Sequence, residues 1–179
     1  GLGDVIADAQ LDATSDPLFG ASVVALMNPG GIRADIAEGD VTYGELFAVQ
    51  PFNNVLTVLT CTGTQIDALL EQQFDNPAVG QNRILQVSDG FTYTWDQSNA
   101  KGSKVDIASI QIDGTPIAAG SSYRVTLNNF LATGGDGFTT FTQCTDPLGG
   151  EIDLDALVRY FEANSPVAPG LQDRITVVP

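Results

Sequence analysis

Histidine is absent from the 179 residues, and only 7 lysines and arginines stand against 22 aspartates and glutamates, a formal net charge of −15. Without imidazole there is no Ser-His-Asp or Cys-His arrangement, no HExxH and no histidine ligand for zinc, which excludes the commonest nucleophilic and metal-hydrolase designs. No set of acids stands out as a metal site, so this chain alone is expected to turn over no substrate and to carry no cofactor. An acidic surface repels the nucleic acid duplex and anionic membranes, which excludes a general polyanion-binding role. Any anionic ligand must be met by a local cluster drawn from Arg33, Arg83, Lys101, Lys104, Arg124, Arg159 and Arg174. No apolar run approaches the ~20 residues of a membrane-spanning helix, so no membrane span is expected. The only cysteines, Cys61 and Cys144, are compatible with one disulfide in an oxidising compartment or with a pair of buried free thiols. No signal-peptide pattern is present and the chain opens within a helical pattern, which leads to the expectation of an excised or processed piece of a longer protein.

What is present suits one domain over residues 1–179. Apolar residues make up 43% of the chain, and a domain of ~150 residues buries about 68–70% of its unfolded surface, so a core can form. Leu2, Val5, Ile6, Ala9 and Ala13 recur at helical spacing to about Thr14. Ala21–Met27 is a short continuous apolar run that reads as a strand buried on both faces, and Val55–Cys61 is apolar on both faces, as in a central strand. A capping box at Thr42–Glu45 starts a short helix ending near Val49. After Thr62-Gly63, a helix carries Ile66, Leu69, Leu70 and Phe74 on one side, and Asp75–Gln81 reads as a loop. Phe91, Tyr93 and Trp95 alternate with threonines as in a half-buried antiparallel strand. A change of parity between Val105/Ile107 and Ile110/Ile112 predicts a bulge near Ala108 and Ser109. Asp113-Gly114 is a hairpin signal, Tyr123, Val125 and Leu127 mark another strand, Leu154, Leu157, Val158 and Phe161 another helix, and Arg174–Val178 a last strand. The fold class is therefore α+β, a mixed sheet with flanking helices.

Two polar stretches follow strand signals and carry the chemistry. In Asn128–Phe138 (NNFLATGGDGF), Gly134 and Gly135 permit close approach of another group, Asp136 offers two acceptor oxygens to a vicinal diol, and Phe130 offers a ring face. In Asn28–Arg33 (NPGGIR), glycines open backbone N–H groups beside a guanidinium suited to phosphate or carboxylate. Taken singly, each reads as a turn before it reads as a site.

Placed in order, the pieces resemble the C-terminal domain of the 5′-nucleotidase family: NPGGIRADI from Asn28, VTYGELFAVQPFNN from Val41, the helix from Thr62, LQVSDGFTY from Leu85, YRVTLNNFLATGGDGF from Tyr123 and DRI from Asp173. The resemblance implies a 5′-nucleotidase C-terminal domain-like fold, and a division of labour in which an N-terminal metallophosphoesterase domain, absent from this chain, carries a divalent metal pair. It implies a nucleotide or nucleoside substrate and a secreted, periplasmic or cell-surface location. By motif, Arg33 contacts the phosphate, Phe130 stacks on the base, Asp136 binds the ribose hydroxyls with Gly134 and Gly135 leaving room, and Asn53 or Asn54 adds a polar contact. Ile84 occupies the position where adenosine-binding members carry a second aromatic, and Arg83 beside it stacks on the base or reaches a phosphate. The implied function is nucleotide recognition within an extracytoplasmic phosphohydrolase. The alternative is a non-catalytic binding or structural module of an exported protein that keeps the fold without the ligand.

Overall fold

The computed structural model describes residues 1–179 as two sheets with five α-helices and several 3-10 turns. The larger sheet has the order β3-β1-β7-β2-β8, formed by β1 (Val24–Met27), β2 (Val55–Thr62), β3 (Gln86–Val87), β7 (Ser122–Asn128) and β8 (Thr145–Ile152). The smaller has the order β6-β5-β4-β9, formed by β4 (Phe91–Asp96), β5 (Gln111–Ile112), β6 (Thr115–Pro116) and β9 (Ile175–Val178). The helices are α1 (Leu2–Asp12), α2 (Tyr43–Val49), α3 (Gly63–Glu71), α4 (Asn129–Ala132) and α5 (Asp153–Asn164).

The larger sheet separates two apolar clusters. On one side Val24, Leu26, Leu59, Val125 and Leu127 pack with Ile66, Leu69, Leu70 and Phe74 and with the inward residues Phe91, Tyr93 and Trp95 of the smaller sheet. On the other, Met27 packs with Ile6, Ala7 and Ala9 of α1, Leu46 and Val49 of α2, and Leu154 and Leu157 of α5. The expected helices form for the expected reasons. Thr42 and Glu45 exchange capping bonds, the Thr42 N–H donating to the Glu45 carboxylate at 2.7 Å and the Glu45 N–H to Thr42 Oγ1 at 3.3 Å. At α3, Thr62 and Gln65 repeat the arrangement at 2.8 and 3.2 Å.

Several expectations are corrected. The first strand begins at Val24 rather than Ala21, because Ala21 is exposed and held at φ 53°. Strand β2 is interior to its sheet, yet Thr57 on one face and Thr60 on the other are only half-buried. In place of a bulge, Ile107–Ser109 forms a 3-10 turn whose first N–H groups are met by Asp106, which accepts from the Ala108 N–H at 3.0 Å. Strand β4 pairs antiparallel with β5 but parallel with β9. At the hairpin, Asp113 and Gly114 both adopt positive φ, 49° and 74°, as a two-residue I′ connection requires. The cysteine alternatives resolve to a disulfide joining Cys61 on β2 to Cys144.

Burial also sets the response to pH. Asp153, almost fully buried at the start of α5, has its carboxyl pushed above the usual range by desolvation. Asp67 on α3 is pushed up as well, by partial burial and then by the neighbouring carboxylates of Glu71 and Asp106, and its buried Oδ1 has no hydrogen-bond partner. A carboxyl whose folded pKa is raised holds its proton more tightly in the native state, so its contribution is full below about pH 4 and is lost as pH rises through the folded value. Repulsion within a chain of net charge −15 acts in the same direction. The melting temperature is therefore expected to be higher at pH 5 than at pH 8, and Asp67→Asn to flatten the difference. A higher melting temperature at pH 8 would contradict this assignment.

Candidate functional site

Strand directions decide which loops meet. Strands β1 and β7 run parallel, with Val24 opposite Val125 and Ala25 opposite Thr126, so their C-terminal ends emerge together. Strands β2 and β3 run antiparallel to these neighbours, with Leu56 opposite Asn128 and Met27 opposite Gln86, so their N-terminal ends arrive at the same edge. Four stretches distant in sequence, 28–33, 51–54, 83–85 and 128–138, thereby gather at one end of the larger sheet.

The centre of this end is Asp136. It sits at φ 55°, ψ 21°, flanked by Gly134 at φ 86° and Gly137 at φ 82°, so the turn runs through left-handed backbone that glycine enters without cost. A buried polar relay orients its carboxylate. The Asn128 side chain caps α4 by accepting the Leu131 N–H at 2.9 Å, and its amide donates to Asn28 Oδ1 at 2.9 Å. Asn28 in turn donates to Asp136 Oδ2 at 2.7 Å. From the other side, Asn76 Nδ2 donates to the Asp136 carbonyl at 2.7 Å and to the Gln72 carbonyl at 3.0 Å. Arg83 Nη1 donates to Asn76 Oδ1 at 3.1 Å and stands 3.5 Å from Asp136 Oδ1. Gly30 borders the carboxylate closely enough that a Cβ there would lie 3.4 Å from Oδ2.

Two aromatic rings are exposed at the same end. Phe130 on α4 is 45% exposed and lies against Gly135, where a Cβ would fall 2.6 Å from the ring. Phe52 in the PFNN turn is 55% exposed, with the Arg33 guanidinium 5.8 Å above its centroid. Arg33 is exposed and donates to the Gly30 carbonyl at 3.2 Å, while its backbone N–H is fastened to the Val49 carbonyl at 2.9 Å.

The structure thus brings Arg83, Phe130, Gly134, Gly135 and Asp136 into one cluster, with Arg33 approaching through Gly30. Asn53 is exposed at φ 51°, and Asn54 is half-buried with its carbonyl accepting the Asp153 N–H at 2.8 Å. These two shape the turn that carries Phe52. Ile84 is half-buried against the larger core, so part of its side chain is already committed. Sequence reasoning did not single out Asn28, Asn76, Asn128 or Phe52. Asn28 and Asn128 opened the two motifs, and Phe52 lay inside a third. Asn76 sat in a loop with no motif to mark it.

No group of three or more His, Cys, Asp or Glu side chains is placed to hold a metal ion. The residues present do not fit a divalent metal pair, and no step here runs through one. No helix is long and apolar enough to cross a membrane.

The mixed-sheet α+β fold is one that known domains share. The model of the 5′-nucleotidase, C-terminal domain matches residues 1–143, and the chain belongs to that family. Among curated relatives, it is 37% identical to the trifunctional nucleotide phosphoesterase protein YfkN of Bacillus subtilis over 99% of this chain and 12% of that protein. It is 34% identical to the cell wall protein Lmo0130 of Listeria monocytogenes over 90% of this chain and 21% of that one. Among solved structures, a 5′-nucleotidase precursor from Thermus thermophilus superposes with a TM-score of 0.86 at 36% identity, covering 99% of this chain and 35% of that chain. The chain therefore spans about an eighth to about a third of the length of these relatives.

Proposed function

We propose that residues 1–179 form the nucleotide-recognition domain of a phosphohydrolase that acts outside the cytoplasm, with the metal pair and the bond-breaking chemistry on an N-terminal metallophosphoesterase domain of the same protein. The observation that carries this reading is the Asp136 carboxylate, held by Asn28 in a left-handed turn, with two exposed rings on loops at the same end of the sheet. In this role Asp136 accepts hydrogen bonds from ribose hydroxyls, Phe130 and Phe52 offer their faces to the base, and Arg33 reaches the phosphate. Base stacking contributes ~1–3 kcal/mol for each ring and tolerates different bases. The Cys61–Cys144 disulfide suits an oxidising compartment, and the name of the Listeria relative places that protein in the cell wall.

The test is calorimetry of the 179-residue chain with AMP, UMP and adenosine, alongside an assay for released phosphate. Binding without hydrolysis is expected. Asp136→Ala is expected to weaken binding by ~10-fold or more, since each hydrogen bond to a charged group contributes about 1.5–3 kcal/mol. Absence of binding to all three ligands would overturn the proposal, as would an Asp136→Ala variant that binds as well as the parent.

A further inference from the structure

Arg83 and Asp136 are opposite charges that do not close on each other. Their nearest atoms, Nη1 and Oδ1, stand 3.5 Å apart, beyond the 2.7–2.9 Å of a charge-assisted hydrogen bond. The gap has a cause in the structure. Arg83 Nη1 is drawn instead to Asn76 Oδ1 at 3.1 Å and to the Asp136 carbonyl at 3.4 Å, and Asp136 Oδ2 is drawn the other way by Asn28 at 2.7 Å. Asn76 is itself buried and anchored to the Gln72 carbonyl at 3.0 Å, so the guanidinium is braced from the end of α3. The other guanidinium N–H groups of Arg83 bond to nothing in the chain, and its side chain remains 34% exposed beside a carboxylate that is 18% exposed.

A hydroxyl is both a donor and an acceptor. A carboxylate alone accepts the hydroxyl's hydrogen bond and leaves the lone pairs of the hydroxyl oxygen to solvent. An acceptor and a donor held more than half an ångström too far apart to satisfy each other can satisfy a hydroxyl between or beside them on both counts. The geometry points to Arg83 as the second arm of a diol clamp: Asp136 accepts a hydrogen bond from the ribose hydroxyl, Arg83 donates one to the hydroxyl oxygen, and the pair makes ribose rather than deoxyribose the sugar this site selects. Asn76 is the positioning residue that keeps the arms open. This inference rests on the nucleoside reading above and deepens it, since it assigns sugar specificity to a residue outside the GGDG turn.

The selectivity follows from what the deoxy ligand leaves behind. A site built to hydrogen-bond a hydroxyl rejects an analogue lacking it, because the acceptor and the donor both lose a partner they cannot replace with each other. Partial exposure lets water recover part of that loss, so the expected discrimination is about 10- to 100-fold, below the limit reached in fully enclosed sites.

The experiment is calorimetry of the 179-residue chain with adenosine, 2′-deoxyadenosine and 3′-deoxyadenosine, repeated for Arg83→Met and Arg83→Lys. The parent is expected to bind adenosine at least about 10-fold more tightly than one of the deoxy ligands. Arg83→Met is expected to lose most of its adenosine affinity while binding that deoxy ligand within about twofold of the parent, which collapses the ratio. Arg83→Lys, retaining a cationic donor, is expected to restore part of the ratio. Equal weakening of all three ligands by Arg83→Met, or a ratio that survives it, would assign Arg83 a purely structural or long-range electrostatic role and overturn the inference while leaving the nucleoside reading intact. No binding of any nucleoside to the parent would overturn the reading itself, and the clamp with it.

Discussion

Replacing Cys61 and Cys144 together by alanine is expected to lower the unfolding free energy by about 4 kcal/mol, the chain-entropy value for a bridge that closes a loop of this size. The two cysteines are 83 residues apart, and the loop between them contains α3, β3 to β7 and the whole of the Asp136 turn. For a chain of this length the loss corresponds to a drop of roughly 10 °C in melting temperature. The effect on ligand affinity is expected to be small. The segment between Asp136 and Cys144 is held by other means: Phe138 and Phe141 are buried in the larger core, Gln72 Nε2 donates to Thr139 Oγ1 at 2.9 Å, and Gln65 Nε2 donates to the Gln143 carbonyl at 3.1 Å. Urea unfolding and adenosine calorimetry on the same double variant separate the two effects. An unchanged unfolding midpoint would contradict the entropic account, and a large loss of affinity would show that the bridge, not the buried rings, sets the loop.

How much of this was legible in the sequence depends on whether the determining force was local. The capping box at Thr42, the Ile66–Phe74 stripe and the Asp113-Gly114 hairpin were readable because a few adjacent residues decide them. Strand β8 was not. Its residues, Thr145–Ile152, include Pro147, Gly149 and Gly150, poor strand formers that pair here because β2 offers an open edge. The parallel pairing of β9 with β4 was hidden for the same reason, since direction is a property of the sheet and not of either strand. At the site, Asp136, Phe130 and Arg33 stood out by motif. The asparagines that orient Asp136 did not, because Asn28 and Asn76 act only across separations of 108 and 60 residues. The resemblance marks position 84 for a second aromatic and finds isoleucine there, while Phe52, one residue before Asn53, is an aromatic exposed at the same edge as Phe130.

The turn itself gives the sharpest functional expectation, the loss of about 100-fold or more in adenosine affinity on Gly135→Ala. Gly135 is not in left-handed backbone, so alanine suits its conformation, and the difficulty is wholly one of space. An added Cβ would lie 2.6 Å from Phe130 Cε1 and also 2.6 Å from the Phe130 carbonyl oxygen. The ring can swing aside, but the carbonyl belongs to α4 and cannot, so the turn must shift as a whole. That shift displaces the Phe130 face and pulls Asp136 from its 2.7 Å bond to Asn28 at the same time. Stacking contributes ~1–3 kcal/mol and a hydrogen bond to a charged group about 1.5–3 kcal/mol, so losing the larger part of both gives the stated change. Gly120→Ala is the matched control, since nothing lies within 4 Å of a Cβ there, and it is expected to bind as the parent does. The mechanism is checked by combination: if Gly135→Ala already misplaces Asp136, then Asp136→Ala added to it should cost little more. Full additivity of the two substitutions, with Gly135→Ala alone weakening binding only a few-fold, would show that the ring moves and the carboxylate stays, and that the two halves of the site are independent.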